Sequence, residues 1–259
     1  MFEGSLLKVR RAKQHIADLE ARSEMFFASN PSILSAVDDL EPGHRSIVAR
    51  VGEPVPAEFA LMLGDAIHNL RSSLDLLAWQ IISPVAGVDE KQVGFPVGKN
   101  LEHFAKVIKS RQIEMTHRPD IVEAFLNTKA FDGGNDLLYG LHRLDIADKH
   151  KLVIPEVRYF GVNNLDLERL DPALQRTKLY AGVVSNSEGN SIFSWPLAAE
   201  SPSLDFVQEA IGKDGGARLD SALAFGRVHT FHGKLVIFTM KQIALEVEAV
   251  IASFATLGY

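Results

Sequence analysis

An apolar helix with ionisable groups set into it constrains this chain more than any other feature. Between Pro56 and about Ile82, the residues Phe59, Leu63, Ala66, Ile67, Leu70, Leu74, Leu77 and Ile81 recur at helical spacing and fall on one stripe. Pro56 suits a first helical turn, and Pro84 stands beyond the end. The opposite side carries Leu61, Trp79 and Ile82, with His68 and Asp75 among them and Arg71 at the edge. A helix apolar on two sides belongs in a core, so its ions must find partners inside the protein or surrender their charge. Gly64, within the same helix, marks a place of close backbone approach.

A second helix is expected to supply those partners. Asp132-Gly133-Gly134-Asn135 offers a turn and an N-cap for a helix over 135–150, with Leu137, Leu141 and Leu144 as its apolar face. Asp145 and Asp148 project into or beside that face and are the natural partners of Arg71 and His68. Arg143 and His150 point the other way. The expected site is therefore a polar cluster of Asp65, His68, Arg71, Asp75, Asp145 and Asp148 between two core helices, with His150 beside it.

The rest of the chain indicates an α+β protein, a helical bundle core with a small antiparallel β-sheet inserted or packed on its side. Residues 3–29 show helical periodicity through Leu6, Val9, Ile16, Leu19 and Phe26, and Asn30-Pro31 ends it. The runs Ile33 to Val37 and Ser46 to Val51, separated by Glu41-Pro42-Gly43, indicate a β-hairpin near 32–52. A loop over 85–100 leads to shorter helices at 100–112 and 118–128. From 151 onward β-type runs take over, at Leu152 to Phe160, Lys178 to Val184, Ser191 to Pro196 and Leu219 to Phe225, with Asn186 to Asn190 as a hairpin loop. Helical periodicity returns at about 235–257. The expected organisation is a helical core over 1–150, a β segment over 151–230, and a C-terminal helix within 231–259 that rejoins the core, all in one compact domain.

Composition narrows function mainly by exclusion. A net charge of −6 gives no general basic surface for nucleic acid, so general DNA binding is not expected and any contact must use a local cluster. The absence of cysteine removes disulfides, thiolate metal sites and cysteine nucleophiles. No apolar run reaches the roughly 18 residues of a membrane span, and Met1-Phe2-Glu3-Gly4-Ser5 lacks a signal-peptide plan, so a cytoplasmic protein with no membrane partner is expected.

Three chemistries compete for the cluster. The first is a buried salt-bridge network that fixes helix packing, with a structural or binding role and no cofactor. The second is a pocket in which His68, His150 and Arg71 handle an anion. The third is a metal-dependent hydrolase, since Asp65 and His68 share a side at i, i+3 and Asp145 or Asp148 could add oxygen ligands, although paired Glu-x-x-His motifs are absent. Asp214-Gly215-Gly216 and Asp132-Gly133-Gly134 lack the context of phosphate loops, and His229 with His232 is a weak ligand pair. No Gly-x-Ser-x-Gly elbow is present.

The string Gly64-Asp65-Ala66-Ile67-His68-Asn69-Leu70-Arg71-Ser72-Ser73-Leu74-Asp75, followed by Asp148-Lys149-His150-Lys151, resembles a group of uncharacterised bacterial proteins over roughly the first 155 residues. The resemblance implies a shared fold. More distantly the chain is similar to the HEPN superfamily, helical bundles that include metal-independent ribonucleases of toxin and defence systems. Arg143 to His150 matches the loosest form of that superfamily's Arg-x4–6-His motif, whereas the position five residues beyond Arg71 is Leu76. This similarity implies a homodimer acting on RNA, with Arg143 stabilising charge on a scissile phosphate and His150 as general acid or base.

Overall fold

The computed structural model of the protein describes residues 2–29, 32–38, 43–163, 170–171, 190–212, 217–226 and 230–258. The chain divides into two compact units. The first comprises Met1–Ala21, Ala57–Ile154 and Phe225–Tyr259, and the second Arg22–Pro56 and Pro155–Ala224.

The first unit is helical. It contains most of α1 (Glu3–Ala28), α2 (Ala57–Ile82), α3 (Leu101–Ser110), α4 (Pro119–Asn127), α5 (Asp136–His150) and α7 (Val236–Ala255). The caps are those the local chemistry dictates. Asn135 accepts from the Leu138 amide at the start of α5, Asn100 accepts from the His103 amide at the start of α3, and Pro119 opens α4. Packing centres on α2, α5 and α7. Leu63, Ile67, Leu70, Leu74 and Leu77 of α2 are fully buried, as are Leu141 of α5 and Val236, Ile243 and Val247 of α7. Each such side chain contributes about 1.5–3 kcal/mol relative to exposure. Phe125 bridges Phe254 and Phe95, with ring centroids 4.6 Å and 6.0 Å away, and so ties α4, α7 and the loop after α2 together. On the surface, α1 and α7 are joined by Lys13–Glu248 and Lys241–Glu20, both 2.6 Å.

The second unit is built on strands. β1 (Ser32–Asp38) and β2 (His44–Val51) form the expected antiparallel hairpin, with Ala36 opposite Ile47. β2 also pairs antiparallel with β4 (Asn190–Pro196), so the sheet order is β1-β2-β4. β3 (Pro155–Asn163) and β5 (Arg218–Phe225) form a separate two-stranded sheet. Ala36, Ile47 and Trp195 pack with Val207 and Ile211 of α6 (Leu204–Gly212), and Trp195 Nε1 donates to the buried Asp171 at 3.1 Å.

An α+β architecture is thus observed, with two differences from the sequence reading. The hairpin joins the 155–224 segment through the β2–β4 ladder instead of belonging to the helical core. Helix α6 was not expected, although Leu204, Val207 and Ile211 carry its inward face. The strand expected over 178–184, the loop 186–189, Asn30-Pro31 and Asp214-Gly215-Gly216 lie outside the described residues, as does His229. No described helix is long and apolar enough to cross a membrane.

Candidate functional site between α2 and α5

All the cluster residues lie within the first unit, on the neighbouring helices α2 and α5. Asp148 packs directly over Gly64, where an added Cβ would come within 2.6 Å of its carboxylate. Further along, the polar side chains form two separate groups.

The first group is centred on Asp145, which is only 4% exposed. Its Oδ1 faces His68 Nδ1 at 3.3 Å, and its Oδ2 accepts from Lys149 Nζ at 2.6 Å. The imidazole is open to solvent at 57% exposure, and its Nε2 lies 3.3 Å from the Ser72 hydroxyl. A carboxylate at Nδ1 favours the tautomer with the proton there, which leaves Nε2 as an acceptor for Ser72.

The second group is centred on Arg71, which is buried on α2. Its Nη2 donates to Asp75 Oδ1 at 2.7 Å and to the Phe95 carbonyl at 3.0 Å. The Phe95 amide donates to the same Asp75 oxygen at 2.9 Å, and the guanidinium lies 5.8 Å from the Phe95 ring centroid. Arg71 and Asp75 therefore clamp the loop after α2 through its backbone. Burial disfavours the Arg71 charge, while Asp75 and Asp145 favour it and Arg111 opposes it.

Two expectations need correction here. Arg71 does not bond to Asp145 or Asp148; its carboxylate is Asp75, one turn along its own helix, because the side chain lies under the Phe95 loop. The second side of α2 is buried only in part, since Ile82 is fully buried but Leu61 and Trp79 are 56% and 45% exposed. Of the two cross-helix pairs expected, only His68 with Asp145 forms. Asp65 is exposed, and Asp148 instead receives the Val153 amide.

Electrostatics single out two partly buried groups. His142 is pushed down to about 4, by burial first and then by repulsion from Arg71, with Asp145 and Asp75 partly compensating and Arg143 adding to the repulsion. Asp148 is raised, by burial first and also by Asp145 and Asp65, against the Val153 amide and His68. Arg71 Nη1, His142 Nδ1 and Asp148 Oδ1 are buried without a hydrogen-bond partner among the described residues. His142 is the residue that sequence reasoning missed. The available signal was its helical-wheel position, at the same edge of α5 as Leu138, Asp145 and Lys149.

The outer face of α5 has the opposite character. Arg143 and His150, two turns apart, are both exposed, and neither bonds or ion-pairs to another described residue. Lys149 and Lys151 are exposed beside them. Over the last two turns of α5, Asp145 and Asp148 are thus at least partly buried while Arg143, Lys149 and His150 are exposed, Lys149 with its ammonium on Asp145. Lys149 and His150 also sit in its last turn, where the helix dipole favours positive charge. Among the described residues, no group of three or more His, Asp or Glu side chains is placed to hold a metal ion. His232 is exposed.

No family model, curated protein or solved structure matches this chain.

Proposed function

We propose that the first unit is a binding module that takes a phosphate-bearing polyanion, RNA in the first instance, on the outer face of α5. The observation that carries this reading is the sorting of charge on that helix. Asp145 and Asp148 are turned toward α2, while Arg143, His150 and Lys151 stand free in solvent, in a chain whose net charge is −6. Over Arg143 to Lys151 no exposed carboxylate interrupts these cations, the exposed Asp136 on the same side standing two turns before Arg143, and such a local basic cluster is what an acidic protein needs for phosphate contacts. The inner network then has a supporting role: Lys149 on Asp145, and Asp75 with the Phe95 backbone on Arg71, partner the buried charges, and the His68–Asp145 contact joins α2 to α5.

Fluorescence anisotropy of a labelled single-stranded RNA with the full chain at low salt tests the reading. The wild type should bind with an affinity that falls steeply as salt rises, and an R143A/H150A variant should bind at least about tenfold more weakly. Equal binding by the variant, or none by the wild type, refutes it.

The free state of Arg143 and His150 on one helix face favours a second reading, metal-independent RNA cleavage. His150 would move the proton of the attacking 2′-hydroxyl, and Arg143 would stabilise charge on the phosphate. That reading expects a homodimer by light scattering and cleavage in the presence of a chelator, abolished in a folded H150A variant. Retained cleavage by H150A sinks it. The metal-dependent hydrolase reading gains no ligand set from the described residues.

A further inference from the structure

We propose that Ser72, His68 and Asp145 form a proton relay in which the Ser72 hydroxyl is a nucleophile toward activated acyl or phosphonyl esters. This rests on the α2 side of the cluster and is independent of polyanion binding on the outer face of α5.

The three contacts run in the order that such chemistry requires. Asp145 is buried and its Oδ1 faces His68 Nδ1 at 3.3 Å; His68 Nε2 faces Ser72 Oγ at 3.3 Å. With the proton held on Nδ1 by the carboxylate, Nε2 presents a lone pair to the hydroxyl, the polarity of a general base on its nucleophile. Both spacings are somewhat long, as catalytic hydrogen bonds commonly are without substrate. Lys149 is bonded to the other Asp145 oxygen at 2.6 Å and so partners the buried carboxyl group from its far side. His68 is mostly exposed and Ser72 partly so, which gives an ester access to both groups. His68 and Ser72 are one turn apart on α2, so the helix itself sets their separation.

The fold also limits the substrate class. Ser72 sits in the interior of α2, where backbone amides are spent on the helix and none is free to receive a developing oxyanion. Without that stabilisation, commonly worth about 10²–10³ in rate, reaction is confined to esters with good leaving groups. With an aryl ester, Ser72 Oγ bonds to the acyl carbon as its proton moves to His68 Nε2. The aryl C–O bond breaks, and His68 returns the proton to the departing phenolate. Water attacks the acyl-serine by the reverse sequence and regenerates the hydroxyl. A fluorophosphonate stops at the first half: the Oγ–P bond forms, the P–F bond breaks, fluoride leaves, and the proton passes through His68 to solvent.

The test is to incubate the full chain with a fluorophosphonate and map the adduct by peptide mass spectrometry. One adduct per chain on Ser72 is expected. It should be absent in S72A, an exchange an α-helix tolerates, and form about 100-fold more slowly or less in H68A. Added imidazole should restore part of the H68A rate, which no loss of packing would produce. Absence of any adduct, an adduct on another residue, or labelling as fast in H68A as in the wild type overturns the proposal.

Discussion

His142 shows how one side chain links this cluster to the conditions the protein experiences. Its imidazole ordinarily titrates near 6.5 and is pushed down to about 4 in the folded state. Above the first value it is neutral in both states. As pH falls below it, the unfolded chain takes up a proton that the folded chain refuses, so stability declines until about pH 4, where both carry it. Allowing for partial exposure, the loss is about 2 kcal/mol. Asp148 acts in the opposite sense: a carboxyl raised above 3.8 is more easily protonated when folded, so its contribution is present in acid and lost as pH rises. Urea unfolding across this range should therefore show a stability slope that an H142Q variant reduces. An unchanged slope would mean that His142 is charged in the folded protein. The sequence placed His142 on α5 but could not reveal its state, because burial and the Arg71 charge come from a helix some seventy residues away.

At the scale of elements, glycines let neighbouring segments pack closely on α2 and α5. Gly140 of α5 lies against Phe231, and an added Cβ would overlap the ring. G140A should cost about 2–3 kcal/mol, despite alanine's better helix propensity. At Gly64 the obstacle is the Asp148 carboxylate, with Oδ2 at 2.6 Å and Oδ1 at 2.8 Å. G64A should destabilise, and D148A should relieve it by on the order of 1 kcal/mol in a double-mutant cycle measured by chemical denaturation. Additive effects would show that the two helices do not meet there. The elements themselves were largely legible. Periodicity, the Asn135 cap and flanking prolines are local signals, and they located α1, α2, α5 and α7 to within a few residues. What depends on tertiary contact was not legible. The bond from Arg71 to the Phe95 carbonyl, the solvent on Leu61 and Trp79, and the β2–β4 ladder between positions near 47 and 193 are settled by distant chain segments. The outward setting of Arg143 and His150 was readable from angles along one helix alone.

At the scale of the whole molecule, the chain leaves the first unit at residue 22 and again at 155, and returns each time, so the stretch that carries α2 and α5 is brought together with α7 from a separate one. On the proposed reading there is a division of labour across one helix: the inner side of α5 packs against α2, and its outer side is left open for the proposed polyanion. The most direct test measures melting temperature and RNA anisotropy side by side for D145N and R143A/H150A. D145N strips the buried partner from His68 and Lys149, so its melting temperature should fall by several degrees while the folded fraction still binds. R143A/H150A should melt within a degree or two of the wild type and lose binding. Binding lost in a folded D145N, or retained in R143A/H150A, would contradict this division between the two sides of α5.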